Sequence, residues 1–243
     1  MPGRAPMAAE IDIVVPICNE EAAAGELVAR LRQSCPGANL IFVDNASTDR
    51  TREILGQLGV TVIEHSSNLG YGRSLCDGIA AGHGDVIVMI DSDLEYHPED
   101  IPALVTKLDT SEAVYGSRLA TSPDVPDSPR STSRLPGFRG FGNRLVTTLF
   151  NLLFAQSLSD LYTGIRAIRR ASLPSGGLDS PGFEFVLELA ARLAQQGIEI
   201  AEIPVSYTPR STGHSKMRHI PEFLKFAIRL AELRIAGGPR PQG

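Results

Sequence analysis

VIVMIDSDLEYHP, residues 86 to 98, passes from five consecutive apolar residues directly into Asp91, Asp93 and Glu95. An unbroken run of β-branched and aliphatic residues is the pattern of a strand covered on both faces, as in a parallel sheet with helices above and below. Carboxylates at the lip of such a core need a partner. Two readings follow. The acids cap a helix starting at Pro98, or Asp91 and Asp93, two apart and so on one side of an extended segment, chelate a hard cation such as Mg²⁺ or Mn²⁺.

The same grammar repeats along the chain. IDIVVP (11 to 16), LIFVD (40 to 44), VTVIEH (60 to 65) and AVYGSR (113 to 118) read as further strands. Between them, residues 19 to 33, 52 to 58 and 98 to 108 carry helical spacing, with acids or proline at several starts, and the glycine-punctuated 68 to 82 reads as a loop running into a helix. Strand and helix in alternation predict an α/β fold with a mainly parallel sheet flanked by helices on both faces. The order breaks at residues 120 to 140, rich in Pro, Ser and Gly, which read as a functional loop because they are too long and polar for a connector. A helix over 139 to 156, a short strand at IRAIR, an amphipathic helix over 182 to 197 and a strand within 198 to 207 complete the pattern. Residues 1 to 10 are expected to be a disordered leader, 11 to 218 one catalytic domain, and 219 to 243 an amphipathic basic tail that lies on a membrane surface or covers the core.

Formal charge is −5 over 243 residues, but residues 210 to 243 hold seven Lys/Arg against Glu222 and Glu232. An acidic body of this kind lacks the basic excess of a nucleic-acid binder. Cys18, Cys35 and Cys76 show no CxxC spacing and are odd in number, so neither a zinc site nor a disulfide framework is supported, and a reducing cytoplasm is the default expectation. The first ten residues lack a signal peptide's apolar centre, and no window reaches the ~18 apolar residues of a membrane span.

Phosphate chemistry is constrained by what is missing. There is no GxxxxGK[ST] loop, the first strand leads into PICNEE instead of GxGxxG, and no GxSxG elbow or paired histidines occur. In open α/β sheets ligands sit beyond the carboxyl ends of the strands, which brings Asp44 and Asp91 to one crevice. The basic counterpart is YTPRSTGHSKM (207 to 217), where Arg210, Ser215 and Lys216 surround a glycine, either a solvated loop or a phosphate grip. With Arg118 at the end of its strand, acids for a metal and bases for phosphate point to a diphosphate substrate.

Assembled in order, VVPICNEE, VDNASTDRT, NLGYGRS, GDVIVMIDSDLEYHPE, YGSR, DLYTGIRAIRR, GFEFVLEL and EIPVSYTPRSTGHSK give a chain that resembles glycosyltransferase family 2, and within it the dolichyl-phosphate or polyprenyl-phosphate mannosyltransferase type. That resemblance implies a GT-A fold and a hexose, mannose from GDP-mannose, moved with inversion onto a polyprenyl or dolichyl phosphate. It implies that Pro16, Cys18, Glu20, Val43, Asp44 and Asn45 border the nucleoside, and that Asp91, Ser92 and Asp93 hold metal and diphosphate. Arg118, Arg210 and Lys216 would meet phosphates, with Arg134, Arg139 and Ser215 toward the acceptor. Asn45 and Glu95 depart from the usual Asp and Gln of that type.

A lipid phosphate is already largely ionised at neutral pH, its second pKa being ~6, and needs no strong base. A hydroxyl acceptor does, and Glu95 is then the base. A family 2 transferase using UDP-glucose or another donor with a hydroxyl acceptor is therefore the alternative, and a non-catalytic nucleotide-sugar binding module a third reading. For the lipid reading, attachment to the cytoplasmic face of a membrane through the tail, or through a membrane-spanning partner subunit, is expected.

Overall fold

The computed structural model describes residues 9–120, 137–209 and 229–235. Among them, β1 (Ile11–Ile17), β2 (Asn39–Asp44), β3 (Thr61–Glu64), β4 (Val86–Ile90), β5 (Ala113–Ser117), β6 (Ile165–Arg169) and β7 (Ile200–Pro204) form one sheet, in the order β3-β2-β1-β4-β6-β5-β7. The helices are α1 (Glu21–Ser34), α2 (Thr51–Gln57), α3 (Tyr71–Ala81), α4 (Ile101–Lys107), α5 (Gly137–Phe154) and α6 (Phe185–Gln195). A mostly parallel sheet with helices on both faces is the expected GT-A architecture.

Period-two alternation divides the strands between two cores. Ile13, Val15, Phe42 and Val88 face Leu27, Val28 and Leu31 of α1, Leu55 of α2 and Leu104 of α4. Val14, Ile87, Met89 and Tyr115 face Leu75 of α3, Phe150 of α5 and Leu187 of α6. Each such fully buried aliphatic side chain contributes roughly 1.5–3 kcal/mol. That both faces are covered is why the strands read as continuous apolar runs. The described part of the tail, 229–235, is helical and buries Leu230 and Leu233 in the second core, so this stretch covers the core.

β6 is the one strand here that runs against its neighbours, pairing antiparallel with β4 and β5. The consequence is functional. Its first residues stand beside the last residues of β4, with Ile165 opposite Ile90 and the Asp91 N–H donating to Gly164 O at 3.1 Å. Residues 160 to 164 are thereby brought to the same edge as the carboxyl ends of β1, β2 and β4. β1 and β4 run parallel, but the strand order reverses between them, the switch point where open sheets leave a crevice.

Candidate active site

Asp91 follows β4 at the mouth of that crevice. The Tyr71 hydroxyl, at the start of α3, donates to Asp91 Oδ1 at 2.8 Å. Gly164 lies against the other oxygen, and a Cβ there would collide with Asp91 Oδ2 and with the Tyr96 ring. Burial and the charge of Asp93 push the Asp91 carboxyl up to about 7, against the opposing pull of Tyr71, Arg166 and Arg118. Two carboxylates that resist joint ionisation form a place where a cation is favourable. Asp93 Oδ1 accepts the Glu95 N–H at 3.0 Å, a local turn that Leu94 enters at a φ of 60°. Ser92 is buried between them.

Glu95 is tied to the far end of the sheet. Its Oε2 accepts the Tyr207 hydroxyl at 2.7 Å and its carbonyl accepts the Thr208 N–H at 2.8 Å. Two hydrogen bonds thus join the acidic turn to the segment after β7.

On the nucleoside side, Pro16 and Val43 are register partners in β1 and β2. Asp44 is fully buried, and its Oδ2 accepts Arg52 Nε and Nη2 at 3.0 and 2.8 Å. Asn45 is spent at both ends of its amide. Oδ1 accepts the Leu69 N–H at 2.8 Å and faces His65 Nδ1 at 3.1 Å, while Nδ2 donates to Asn68 Oδ1 at 2.9 Å. The turn through Asn19, at a φ of 54°, is held by Ser47 and Thr48, and the Glu20 N–H donates to Thr51 Oγ1 at 2.9 Å. Cys18 is half-buried beside it.

Arg118 has a different setting from the one expected of a phosphate ligand. Its Nε and Nη2 bind Asp160 Oδ2 and Oδ1 at 2.7 and 2.8 Å, and its backbone N–H reaches Oδ2 at 3.1 Å. The guanidinium carbon stands 5.7 Å from the Tyr96 ring centroid and 5.3 Å from that of Tyr207. Asp160 is fully buried, and although burial opposes it, Arg118 holds its carboxyl below the usual range. Arg134, Arg210, Ser215 and Lys216 lie outside the described residues, as do the loop expected at 120 to 140 for most of its length, residues 1 to 8 and the remainder of the tail. Arg139 falls in the first turn of α5, and its side chain is likewise outside what is described.

Sequence reasoning missed Tyr71, Gly164 and Arg166 as individuals, although all stand in blocks it singled out. Arg166 is fully buried in β6, against the Tyr115 ring. An arginine between apolar residues of IRAIR, with a second at the strand's end, is the signal the sequence offers. Among the described residues no group of three or more His, Cys, Asp or Glu stands together as a metal centre, so a cation here would rest on the Asp91/Asp93 pair and on substrate oxygens. No helix among them is long and apolar enough to cross a membrane.

The family model for Glycosyl transferase family 2 matches residues 12–176. The low-salt glycan biosynthesis hexosyltransferase Agl6 of Haloferax volcanii is 28% identical over 221 residues, covering 89% of this chain and 52% of that protein. The chain thus spans about half the length of that relative. The undecaprenyl-phosphate mannosyltransferase of Micrococcus luteus is 28% identical over 215 residues, 84% of this chain and 86% of that protein. Among solved structures, glucosyl-3-phosphoglycerate synthase from Mycobacterium tuberculosis, in complex with Mn²⁺, UDP and phosphoglyceric acid, superposes with a TM-score of 0.68 at 23% identity, over 97% of this chain and 80% of that one. The same enzyme has been solved with Mn²⁺, UDP-glucose and phosphoglyceric acid, TM-score 0.65 at 22% identity over 94% and 79% of the two chains.

These structures correct the narrower expectation. The dolichyl-phosphate or polyprenyl-phosphate mannosyltransferase type, GDP-mannose as donor, a lipid phosphate as acceptor, and the membrane surface or membrane-spanning partner that acceptor called for are withdrawn. The physical reason lies in the motifs. Within DLYTGIRAIRR, Asp160 pairs with Arg118, Gly164 makes room for Asp91, and Arg170 binds Asp12 at 2.6 Å. In GFEFVLEL, Glu188 accepts the Ser180 N–H at 2.8 Å and Arg192 Nη2 at 2.8 Å. The bonds these side chains make are to other parts of the scaffold, so the motifs carry the family and not a choice of substrate.

Proposed function

Because the chain belongs to glycosyl transferase family 2, we propose that it transfers a hexose from UDP-glucose to a hydroxyl group of a small phosphate-bearing acceptor. The observation that carries this reading is the Asp91/Asp93 pair at the crevice, with Glu95 two residues further on and fixed by Tyr207. The names of the structures sharing the fold, which include UDP-glucose, Mn²⁺ and phosphoglyceric acid, support the choice of donor and acceptor class.

In this reading Asp91 and Asp93 hold Mg²⁺ or Mn²⁺, which binds readily through one or two carboxylates plus substrate phosphates. When bound, the cation takes up negative charge developing on the departing diphosphate. The chain's own residues do the rest. The strand ends from Pro16 to Glu20 and from Val43 to Asn45 line the nucleoside, presenting backbone and apolar surface because the side chains of Asp44 and Asn45 are already engaged. Glu95 takes the acceptor's proton during attack, a contribution of roughly 10²–10⁴-fold. Arg210, Ser215 and Lys216 follow closely on Thr208 and supply donors for phosphate oxygens. Arg118 serves this site by holding Asp160 and the two tyrosine rings.

The test is UDP release from UDP-glucose with 3-phosphoglycerate as acceptor, with and without Mn²⁺. Turnover should need the ion and the acceptor, and fall about 10²–10³-fold in Asp91→Asn, the range for losing one electrostatic stabiliser. Turnover of Asp91→Asn at the wild-type rate, or of GDP-sugars to the exclusion of UDP-glucose, refutes it.

A further inference from the structure

Glu95 is held twice, once by its backbone and once by its carboxylate. Within its own turn, Asp93 Oδ1 accepts the Glu95 N–H at 3.0 Å. The carboxylate is met from 112 positions along the chain, where the Tyr207 hydroxyl donates to Oε2 at 2.7 Å. Tyr207 in turn has a firm seat. Its backbone forms an antiparallel bridge with Tyr96, and its two neighbours bind the stretch from 95 to 100, the Ser206 N–H donating to Asp100 Oδ2 at 2.6 Å and the Thr208 N–H to Glu95 O at 2.8 Å. Its ring meets the buried Tyr96 ring edge-on, centroids 5.3 Å apart. The same ring lies 5.3 Å from the guanidinium carbon of Arg118, which Asp160 clamps through both of its oxygens.

In transfer the acceptor oxygen bonds the anomeric carbon, the bond to UDP breaks, and the hydroxyl proton passes to Glu95. A base must stand within hydrogen-bond reach of that proton, and a flexible glutamate gives up side-chain freedom to stay there. We propose that Tyr207 is a positioning residue for this step: its hydroxyl, fixed by the Tyr96 and Arg118 contacts, holds the Glu95 carboxylate in one orientation before the acceptor arrives. The ordering of the base is then completed on folding and not during attack. The phenol remains a donor throughout, because burial and then the adjoining Glu95 carboxylate push it up to about 12. The inference rests on the proposed role of Glu95 as base.

The experiment follows single-turnover transfer from UDP-glucose to 3-phosphoglycerate with Mn²⁺ on wild type, Tyr207→Phe, Glu95→Gln and the Glu95→Gln/Tyr207→Phe double variant. Rates are taken per UDP site counted by calorimetry, so that unfolded protein does not enter. Tyr207→Phe keeps both ring contacts and removes only the hydroxyl. Its transfer rate should fall about 10–10²-fold, the scale of a misplaced catalytic group, with UDP affinity within about twofold of wild type. In the Glu95→Gln background the same substitution should change the rate by less than about twofold, because Tyr207 acts through Glu95; a merely structural role would multiply the two losses. A wild-type rate in Tyr207→Phe, losses that multiply in the double variant, or a parallel loss of UDP affinity in Tyr207→Phe overturns the inference and leaves Glu95 as base. A wild-type rate in Glu95→Gln, or no transfer by wild type, overturns the proposed function itself, and the inference with it.

Discussion

Replacing Asp160 with Asn should unseat Arg118 and melt the sheet edge that carries the acidic turn. Asp160 is acceptor-only when ionised and offers about four lone-pair sites. Four donors fill them: Arg118 N, Arg118 Nε, Arg118 Nη2 and Asn143 Nδ2, at 3.1, 2.7, 2.8 and 2.9 Å. An asparagine turns an amide N–H₂ toward at least one of these donors and leaves the guanidinium, whose side chain is 11% exposed, without a counter-charge. Removing one partner of a buried pair costs about 3–5 kcal/mol. At ~2–4 °C per kcal/mol for a chain of this size, Tm should fall by roughly 6–20 °C. Differential scanning calorimetry reads this directly, and the pH series sharpens it. Because the folded Asp160 pKa is depressed, its stabilisation is in place above the ordinary carboxylate value of ~3.9 and is lost as pH falls through the folded value. Wild type should therefore lose more stability on the acid side than Asp160→Asn does. A Tm drop under about 2 °C, or identical acid limbs, would refute the view of Arg118 as a structural cation and return it to the substrate phosphates.

Gly164→Ala places a methyl against Asp91 Oδ2 and the Tyr96 ring; overpacking of this kind costs about 1–3 kcal/mol, and Mn²⁺ binding should weaken along with Tm, both readable in one thermal-shift titration. Asn45→Asp sets an oxygen against Asn68 Oδ1, where an N–H now donates at 2.9 Å, and should lower stability by about 1–3 kcal/mol in urea unfolding. The rise in Tm caused by Mn²⁺ with UDP should be greater at pH 8 than at pH 6, because the ion competes with the proton that burial and Asp93 hold on Asp91, and Asp93→Asn should flatten that dependence. Glu95→Gln should slow transfer to a hydroxyl by about 10²–10⁴-fold while leaving UDP affinity, by calorimetry, within about twofold.

The parallel part of the fold is legible because a strand covered on both faces has no choice of sequence: Ile13 to Ile17 and Val86 to Ile90 are all nearly or wholly inaccessible, and only apolar residues tolerate that. Direction is another matter. IRAIR reads as a strand, yet nothing local fixes whether it enters the sheet from the top or the bottom. That is decided by the connection through α5, which returns the chain to the end of the sheet where β5 finished, so that β6 enters between β4 and β5 running the other way; a connection is a property of three dimensions. The reversal is also what sets Gly164 beside Asp91, so the one feature of the sheet that alternation fails to predict is the one that completes the crevice.

The site divides in the same way. Asp91 and Asp93 announce themselves because acids following a greasy strand violate a simple expectation, and their position in the crevice follows from the switch point. Arg118 and Asn45 look like ligands for the same reason, as polar residues at strand ends, but their partners come from far along the chain: Asp160 for the first, His65 and Asn68 for the second. A polar residue at a strand end is thus ambiguous between gripping a substrate and gripping the scaffold, and only the location of its partner separates the two. Arg166 is the converse case. Its charge is visible in the sequence, but its complete burial is not, nor that the Tyr115 ring, 51 positions earlier, lies against its guanidinium. Arg118 and Arg166 are thus two kinds of buried arginine, one answered by a carboxylate within the scaffold and one with donors unspent among the described residues, and the melting temperature of Asp160→Asn measures what the first kind contributes.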